Sequence, residues 1–264
     1  MARPTIRVGL FGFGRAGKAV AEEIIRSEQT ELIWVATRSG EDSNAYVGTL
    51  LGQDLPAEGR FISTRSLSAE QLLKSLPVDF IVDFSNAQAL HYYGLAAAKA
   101  GTGIISAVSH YEALELRLLR RLGLRTRVLY SPNITVGINF LMLAAKALRR
   151  IAPHADVEVI EQHFRDKQEV SGTAMRLAEA LELDGVDKVN SIRVGGIVGK
   201  HEVIFGFPYQ TVRLVHESIS RNAFGQGALY AIQQLRVRGS GYHTMEQLMV
   251  ADFKRMLSKL EVAA

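Results

Sequence analysis

The turn Gly12-Phe13-Gly14-Arg15-Ala16-Gly17 follows a short apolar run, Ile6 to Phe11. It opens a stretch that puts Ala16, Ala19, Val20 and Ile24 on one helical face. A strand that passes through glycines straight into a helix constrains this chain more than any other feature. Glycine tolerates the tight turn and lets the backbone come close to a pyrophosphate resting on the helix N-terminus. The spacing GxGxxG alone is a weak signal, and its place between strand and helix gives it weight. The pattern predicts a dinucleotide site built from Gly12, Phe13, Gly14, Arg15, Ala16 and Gly17.

The alternation continues. Glu31 to Thr37 reads as a second strand, Phe61 and Ile62 as a short third, and Ser68 as the cap of a short helix ending before Pro77. Val78 to Phe84 is a buried strand, and Ser85 and Asn86 are capping residues for an Ala-rich helix ending near Gly101. Gly103 to Val108 is a strand, Tyr111 to Leu122 a helix closed by Gly123, and Arg127 to Tyr130 a strand ending at Ser131-Pro132-Asn133. Strands alternating with helices imply α/β architecture with a doubly wound parallel sheet.

Past Pro132 the texture changes. A long helix runs through Phe140, Leu143, Ala144, Ala147, Leu148 and Ile151 to Pro153, and Val157 to His163 alternates as a strand. A helix after Ser171 buries Ala174, Leu177, Ala178 and Leu181. Three strand-like segments follow, Ser191 to Val194, His201 to Phe205 and Gln210 to Ser218, expected to pair antiparallel; an amphipathic helix covers Gly227 to Leu235. This is a second, α+β domain with a mixed or antiparallel sheet. The expected boundaries are 1–133 for the dinucleotide-binding domain and 134–237 for the second, with 238–264 returning to the first.

Composition excludes several classes. There is no cysteine, so thiolate catalysis, disulfides and cysteine-based metal sites are out. No apolar run approaches the ~18 residues that span a bilayer, and the N-terminus lacks the pattern of a secretory signal. The expectation is a cytoplasmic protein without a membrane partner. The net charge is +4. Its Arg-rich stretch, Arg117 to Arg127, carries Leu114, Leu118 and Leu122 on one side, so it reads as a solvated helix face and not a nucleic-acid surface. The charge suits anionic substrates and cofactors.

The end of the second strand reads Ala36-Thr37-Arg38-Ser39. A carboxylate there would hold a ribose 2′-hydroxyl and favour NAD. Its absence, with Arg38 flanked by the hydroxyls of Thr37 and Ser39, favours the 2′-phosphate of NADPH. Glu41 and Asp42 lie slightly further on and keep NADH open.

The stretch HFRDKQEVSGTA, His163 to Ala174, places an imidazole, a cation and a helix start within one short segment. Free backbone N–H groups at Ser171 to Thr173 would face a carboxylate, with Lys167 adding charge. His163 or Lys167 can supply a proton. The same spacing also suits a capped helix behind a solvated loop, and spacing alone leaves both open. No His and carboxylate set has metal-site spacing, so no metal is expected. His91, His154 and His243 read as solvent-facing, and His201 and His216 as packing residues on strands.

The segments EQHFRDKQEVSGTA, SPNITVGIN (Ser131 to Asn139), VGGIVGKHEVIFG (Val194 to Gly206) and its continuation to HESISRNAFGQGAL, with DFSN (Asp83 to Asn86), resemble the dihydrodipicolinate reductase family over nearly the whole chain. The resemblance implies a Rossmann-type cofactor domain and a mixed-sheet domain for substrate binding and homotetramer formation. It implies NAD(P)H-dependent reduction of 4-hydroxy-tetrahydrodipicolinate, a cyclic imine of lysine and diaminopimelate biosynthesis. Lys167 would donate a proton, His163 would assist, and Ser171-Gly172-Thr173 would bind a carboxylate. Phe84, Ser85, Ala107, Ser109 and Asn133 would lie on the cofactor side. Two departures stand out. Phe164 replaces the second of two histidines, in a loop one residue shorter with Val170 in place of a proline. Ala107-Val108-Ser109-His110 replaces a Gly-Thr-Thr-Gly turn. His110 is a candidate substitute for the imidazole lost at 164, or a surface loop residue. The departures leave open a paralogue acting on another cyclic imine. A catalytically silent NADP-binding protein is the competing class.

Overall fold

The computed structural model describes residues 5–38, 45–52, 54–56, 58–183 and 189–261. Ile6–Phe11 is β1, buried almost throughout, as expected of a strand with helices on both faces. The glycine turn leads into α1 (Arg15–Arg26), then β2 (Thr30–Thr37), α2 (Val47–Leu51) and β3 (Arg60–Ser63). The chain continues through α3 (Ala69–Ser75), β4 (Phe80–Asp83), α4 (Ala87–Ala100), β5 (Gly103–Ser106), α5 (Ala113–Gly123) and β6 (Arg127–Tyr130). Then come α6 (Val136–Ile151), β7 (Asp156–His163), α7 (Gly172–Ala180), β8 (Val189–Arg193), β9 (Lys200–Gly206) and β10 (Thr211–Glu217). The described chain ends with α8 (Asn222–Leu235), β11 (Gly241–His243) and α9 (Met245–Glu261).

Two compact units result, one of 1–134 with 224–264 and one of 135–223. The first holds a seven-stranded sheet in the order β11-β6-β5-β4-β1-β2-β3, with every neighbouring pair parallel. The strand order reverses between β1 and β4, and an open α/β sheet offers its binding crevice at the carboxyl ends of such a pair. Trp34 is fully buried beneath β1, edge-on to Phe11 at 5.5 Å, with its Nε1 donating to the Leu76 carbonyl at 3.0 Å. The second unit packs α6 and α7 on a four-stranded sheet ordered β10-β9-β7-β8. Its core joins Ile138, Leu141 and Ala145 to Val159, Leu177, Val203 and Phe205.

Several expectations are corrected. β8 pairs parallel to β7, whereas β9 is antiparallel to both β7 and β10. The intervening α7 brings the chain back to its starting edge, so β7-α7-β8 is a crossover unit. The chain rejoins the first unit at Phe224, well before residue 238. α8 can lie on α1 because a Cβ on Gly225 would come within 2.5 Å of Glu23. Gly123 is the last residue of α5, where a Cβ would press on the Tyr242 backbone of β11. That strand, hidden in a glycine-rich stretch, was not foreseen. Among the described residues, no helix is long and apolar enough to cross a membrane.

Candidate active site

In the first unit, the carboxyl ends of β1, β2 and β4 open into a cavity of about 680 Å³. Of the expected cofactor residues, Gly12, Phe13, Gly14, Thr37, Arg38, Phe84 and Ser85 line it. Gly12 adopts φ +92°, and a Cβ there would sit 2.7 Å from the Phe84 carbonyl oxygen. A Cβ on Gly17 would meet the Gly12 carbonyl oxygen at 2.2 Å, so the third glycine is needed for close packing of α1 on the turn. Gly14 sits at the N-cap of α1 with no side chain to cover the first backbone N–H groups, which leaves them available to an anion.

Arg15, Ala16, Gly17, Ala107, Ser109 and Asn133 are not among the lining residues. Ser39 lies outside the described residues, as do Glu41 and Asp42. Thr64 and Arg65 line the cavity and were missed. The signal was present: Thr64-Arg65 repeats the Thr37-Arg38 pattern one strand over, and β2 pairs with β3 so that Thr37 is opposite Ser63. The pairing carries both arginines to one end of the sheet.

Asp83 supports the floor of this cleft. It is fully buried and accepts hydrogen bonds from the Ser85 N–H (2.8 Å), the Ser85 hydroxyl (2.5 Å) and the Tyr93 hydroxyl (2.8 Å). Burial pushes its carboxyl up to about 6, against the lowering effect of those bonds. Ser85 is therefore tied to Asp83 and Asn86 alone caps α4, by accepting from the Gln88 N–H at 3.0 Å.

In the second unit, β7 alternates Val157, Val159, Glu161 and His163 into the interior. Glu161 is the hub and was not foreseen. It is fully buried and accepts from Arg193 Nη2 (2.6 Å), the Ser191 hydroxyl (2.6 Å), His163 Nδ1 and the Ser171 N–H (3.4 Å). Burial alone would raise its carboxyl, but the bonds from Arg193, Ser191 and His163 prevail and hold it at about 2. With Nδ1–H donated to Glu161, His163 keeps Nε2 as the atom able to exchange a proton. Arg193 also donates to the carbonyls of Lys167 (2.9 Å) and Glu169 (2.9 Å), fastening the 164–170 loop to the sheet. Lys167 is half-buried on that loop, and its N–H donates to the Phe164 carbonyl at 3.2 Å.

Ser171 is the buried N-cap of α7, its hydroxyl accepting from the Thr173 N–H at 3.2 Å and meeting His201 Nε2 at 3.0 Å. This corrects the expectation of free N–H groups from Ser171 to Thr173, because Ser171 and Thr173 spend theirs inside the unit. Gly172 is exposed, with open space around its Cα. Both open readings of the segment contain part of the answer: the helix is capped, and the capping residue belongs to a buried polar network with His163. His201, expected to be a packing residue, is a member of it. Phe164 is 41% exposed, beside His163 in sequence. His110 lies in the first unit, paired with Glu112 at 3.1 Å, and both side chains are largely exposed. His91 pairs with Glu115 at 2.9 Å, while His243 is half-buried and not solvent-facing as expected. Among the described residues, no three His, Asp or Glu side chains group as a metal site.

The fold and these two sites define a class: a Rossmann-type α/β unit joined to a mixed-sheet unit that carries a histidine, a lysine and a Ser-Gly-Thr helix start. Within that class the comparisons are specific. Residues 6–134 match the family model for the dihydrodipicolinate reductase N-terminus, and residues 137–249 the model for its C-terminus. The chain is 30% identical over 204 residues to a 4-hydroxy-tetrahydrodipicolinate reductase of Rickettsia bellii, covering 70% of this chain and 81% of the relative. It is 28% identical over 273 residues to that of Methanococcoides burtonii, covering 92% and 99%. A dipicolinate-bound dihydrodipicolinate reductase from Paenisporosarcina sp. TG-14 shares the fold at TM-score 0.73 and 20% identity, covering 91% of this chain and 98% of that one. The chain belongs to the dihydrodipicolinate reductase family.

Proposed function

We propose that the protein is an NAD(P)H-dependent reductase of 4-hydroxy-tetrahydrodipicolinate, with NADPH preferred. The observation that carries the reading is the Glu161 hub, which fixes His163, the Lys167 loop and the Ser171 helix start in one small region of the second unit. The first unit fits the cofactor: Gly12 and Gly17 permit close backbone approach, α1 starts uncapped, and Arg38 and Arg65 supply charge for a 2′-phosphate. Phe84 and Ser85 form part of the cleft wall.

The 4-hydroxyl of the substrate leaves as water to give the conjugated imine, to which NADPH, when bound, would supply a hydride. Lys167 donates the proton that completes the reduction, and His163, oriented by Glu161, assists through Nε2. Ser171, Gly172 and Thr173 receive a substrate carboxylate, and Arg193 keeps the lysine loop from drifting. The remaining parts of the proposal are the second unit as substrate and oligomerisation domain, a homotetramer, and a cytoplasmic location alongside the soluble nicotinamide pool. A role for the reaction in lysine and diaminopimelate synthesis follows from the family.

Phe164 favours a second reading, a related cyclic imine with one carboxylate fewer. A lost polar partner costs about 1–3 kcal/mol, roughly 5- to 150-fold in affinity, which redirects preference without abolishing the chemistry. Lys167→Ala tests the reading: kcat should fall roughly 100-fold or more while NADPH binding is retained. Unchanged kcat in a folded Lys167→Ala protein would refute the assigned proton donor.

A further inference from the structure

His201 is 5% exposed on β9, opposite Glu161 and His216 in the sheet register. Its ring stands edge-on to His163 at 5.3 Å. Its Nε2 lies 3.0 Å from the Ser171 hydroxyl oxygen, and its Nδ1 is buried with no hydrogen-bond partner. The groups acting on this ring are His163 and Glu161 from β7, His216 from β10 and Lys167 from the loop. Burial first, then repulsion from His163 and His216, lower its imidazole to about 4, so it is neutral at physiological pH.

A neutral imidazole has one N–H. On Nδ1 that N–H would be buried without an acceptor, which native structures rarely tolerate; a bare Nδ1 lone pair is the cheaper omission. The proton therefore sits on Nε2, and His201 donates to Ser171. The Ser171 oxygen also accepts from the Thr173 N–H. Both of its lone pairs are then engaged, and its own O–H remains as a donor, strengthened by the two bonds it accepts. The N–H groups of Ser171 and Thr173 are turned inward, so this hydroxyl proton, beside the N–H of exposed Gly172, is what the start of α7 can offer a ligand.

We propose that His201 is a positioning residue that locks the Ser171 hydroxyl as a hydrogen-bond donor, selecting a substrate group that can only accept, a carboxylate. The proposal rests on the assignment of Ser171 to the substrate site and adds the residue that sets its polarity. His201 acts only through Ser171.

The test uses the NADPH-loaded full chain with pyridine-2,6-dicarboxylate as the binding probe and the cyclic imine for turnover. His201→Leu should raise the dicarboxylate Kd and the substrate KM roughly tenfold, with kcat changed less than about twofold and NADPH Kd unchanged. His201→Gln, whose amide N–H can take the place of Nε2–H, should restore most of the loss. In a Ser171→Ala background, His201→Leu should add nothing. Imidazole ¹⁵N NMR of the wild type should show the His201 proton on Nε2, a readout that survives if a variant fails to fold. A proton on Nδ1, an unchanged Kd in His201→Leu, or a full effect without the Ser171 hydroxyl overturns the proposal. A wild type that shows the Nε2 tautomer yet neither binds the dicarboxylate nor reduces the imine overturns the function on which it rests.

Discussion

Replacing Glu161 with glutamine keeps the side-chain size and removes the charge. The wild-type carboxylate accepts four hydrogen bonds, two of them at 2.6 Å. An amide presents one oxygen and one NH₂, so its nitrogen must face a donor: His163 on one side, or Arg193 and Ser191 on the other. Removing one partner of a buried pair costs about 3–5 kcal/mol. The depressed carboxyl gives a second figure. The folded carboxyl sits at about 2 against an ordinary 4.5, which corresponds to about 3 kcal/mol. Because the folded value is depressed, this stabilisation is present above pH 4.5 and is lost as pH falls from 4.5 toward 2. Glu161→Gln should therefore lower stability by about 2–3 kcal/mol at pH 7, a drop in Tm of roughly 4–12 °C. The gap to wild type should close on acidification. Calorimetry at pH 7 and at about pH 3 measures both, and turnover at pH 7 should fall because the Lys167 loop loses its Arg193 anchor geometry. A Tm within about 1 °C of wild type, or a gap that does not narrow in acid, would refute the hub.

The other predictions are smaller. Arg65→Ala should weaken NADPH roughly tenfold and NADH less than about twofold by fluorescence titration; equal losses would remove Arg65 from the 2′-phosphate site. Asp83 has a folded value raised from 3.8 to about 6, so stability that is full below 3.8 declines as pH rises to about 6. Asp83→Asn abolishes that titration, and its stability relative to wild type should improve by about 2–3 kcal/mol between pH 4 and pH 7. A difference independent of pH would show that Asp83 does not titrate in that window. His110→Ala should leave KM and kcat unchanged, as its exposed pairing with Glu112 implies; a raised KM would restore it as the stand-in for the imidazole missing at 164.

The first unit was legible where local rules act. The turn from Gly12 to Gly17 and the strand ends announce themselves because each requires a particular residue type. Arg65 was harder to see because its place depends on the register of β3 against β2, a non-local fact. β8 was misread as antiparallel because strand direction is decided by the crossover helix and not by the strand's own residues. The second site was half legible. His163, Lys167 and Ser171 fall in one segment, but Arg193, Ser191 and His201 reach it from other strands. Alternation along Val157 to His163 does place Glu161 on the buried face with His163. A carboxylate at an interior position is a signal in itself, since an unpaired buried charge is too costly to keep.

The central claim is tested most directly by following NADPH oxidation by the wild-type protein with 4-hydroxy-tetrahydrodipicolinate generated in situ by its synthase. Rapid oxidation is expected, one NADPH per imine reduced, with slower turnover on NADH. No oxidation by a folded protein that binds NADPH would contradict it and turn attention to monocarboxylate cyclic imines.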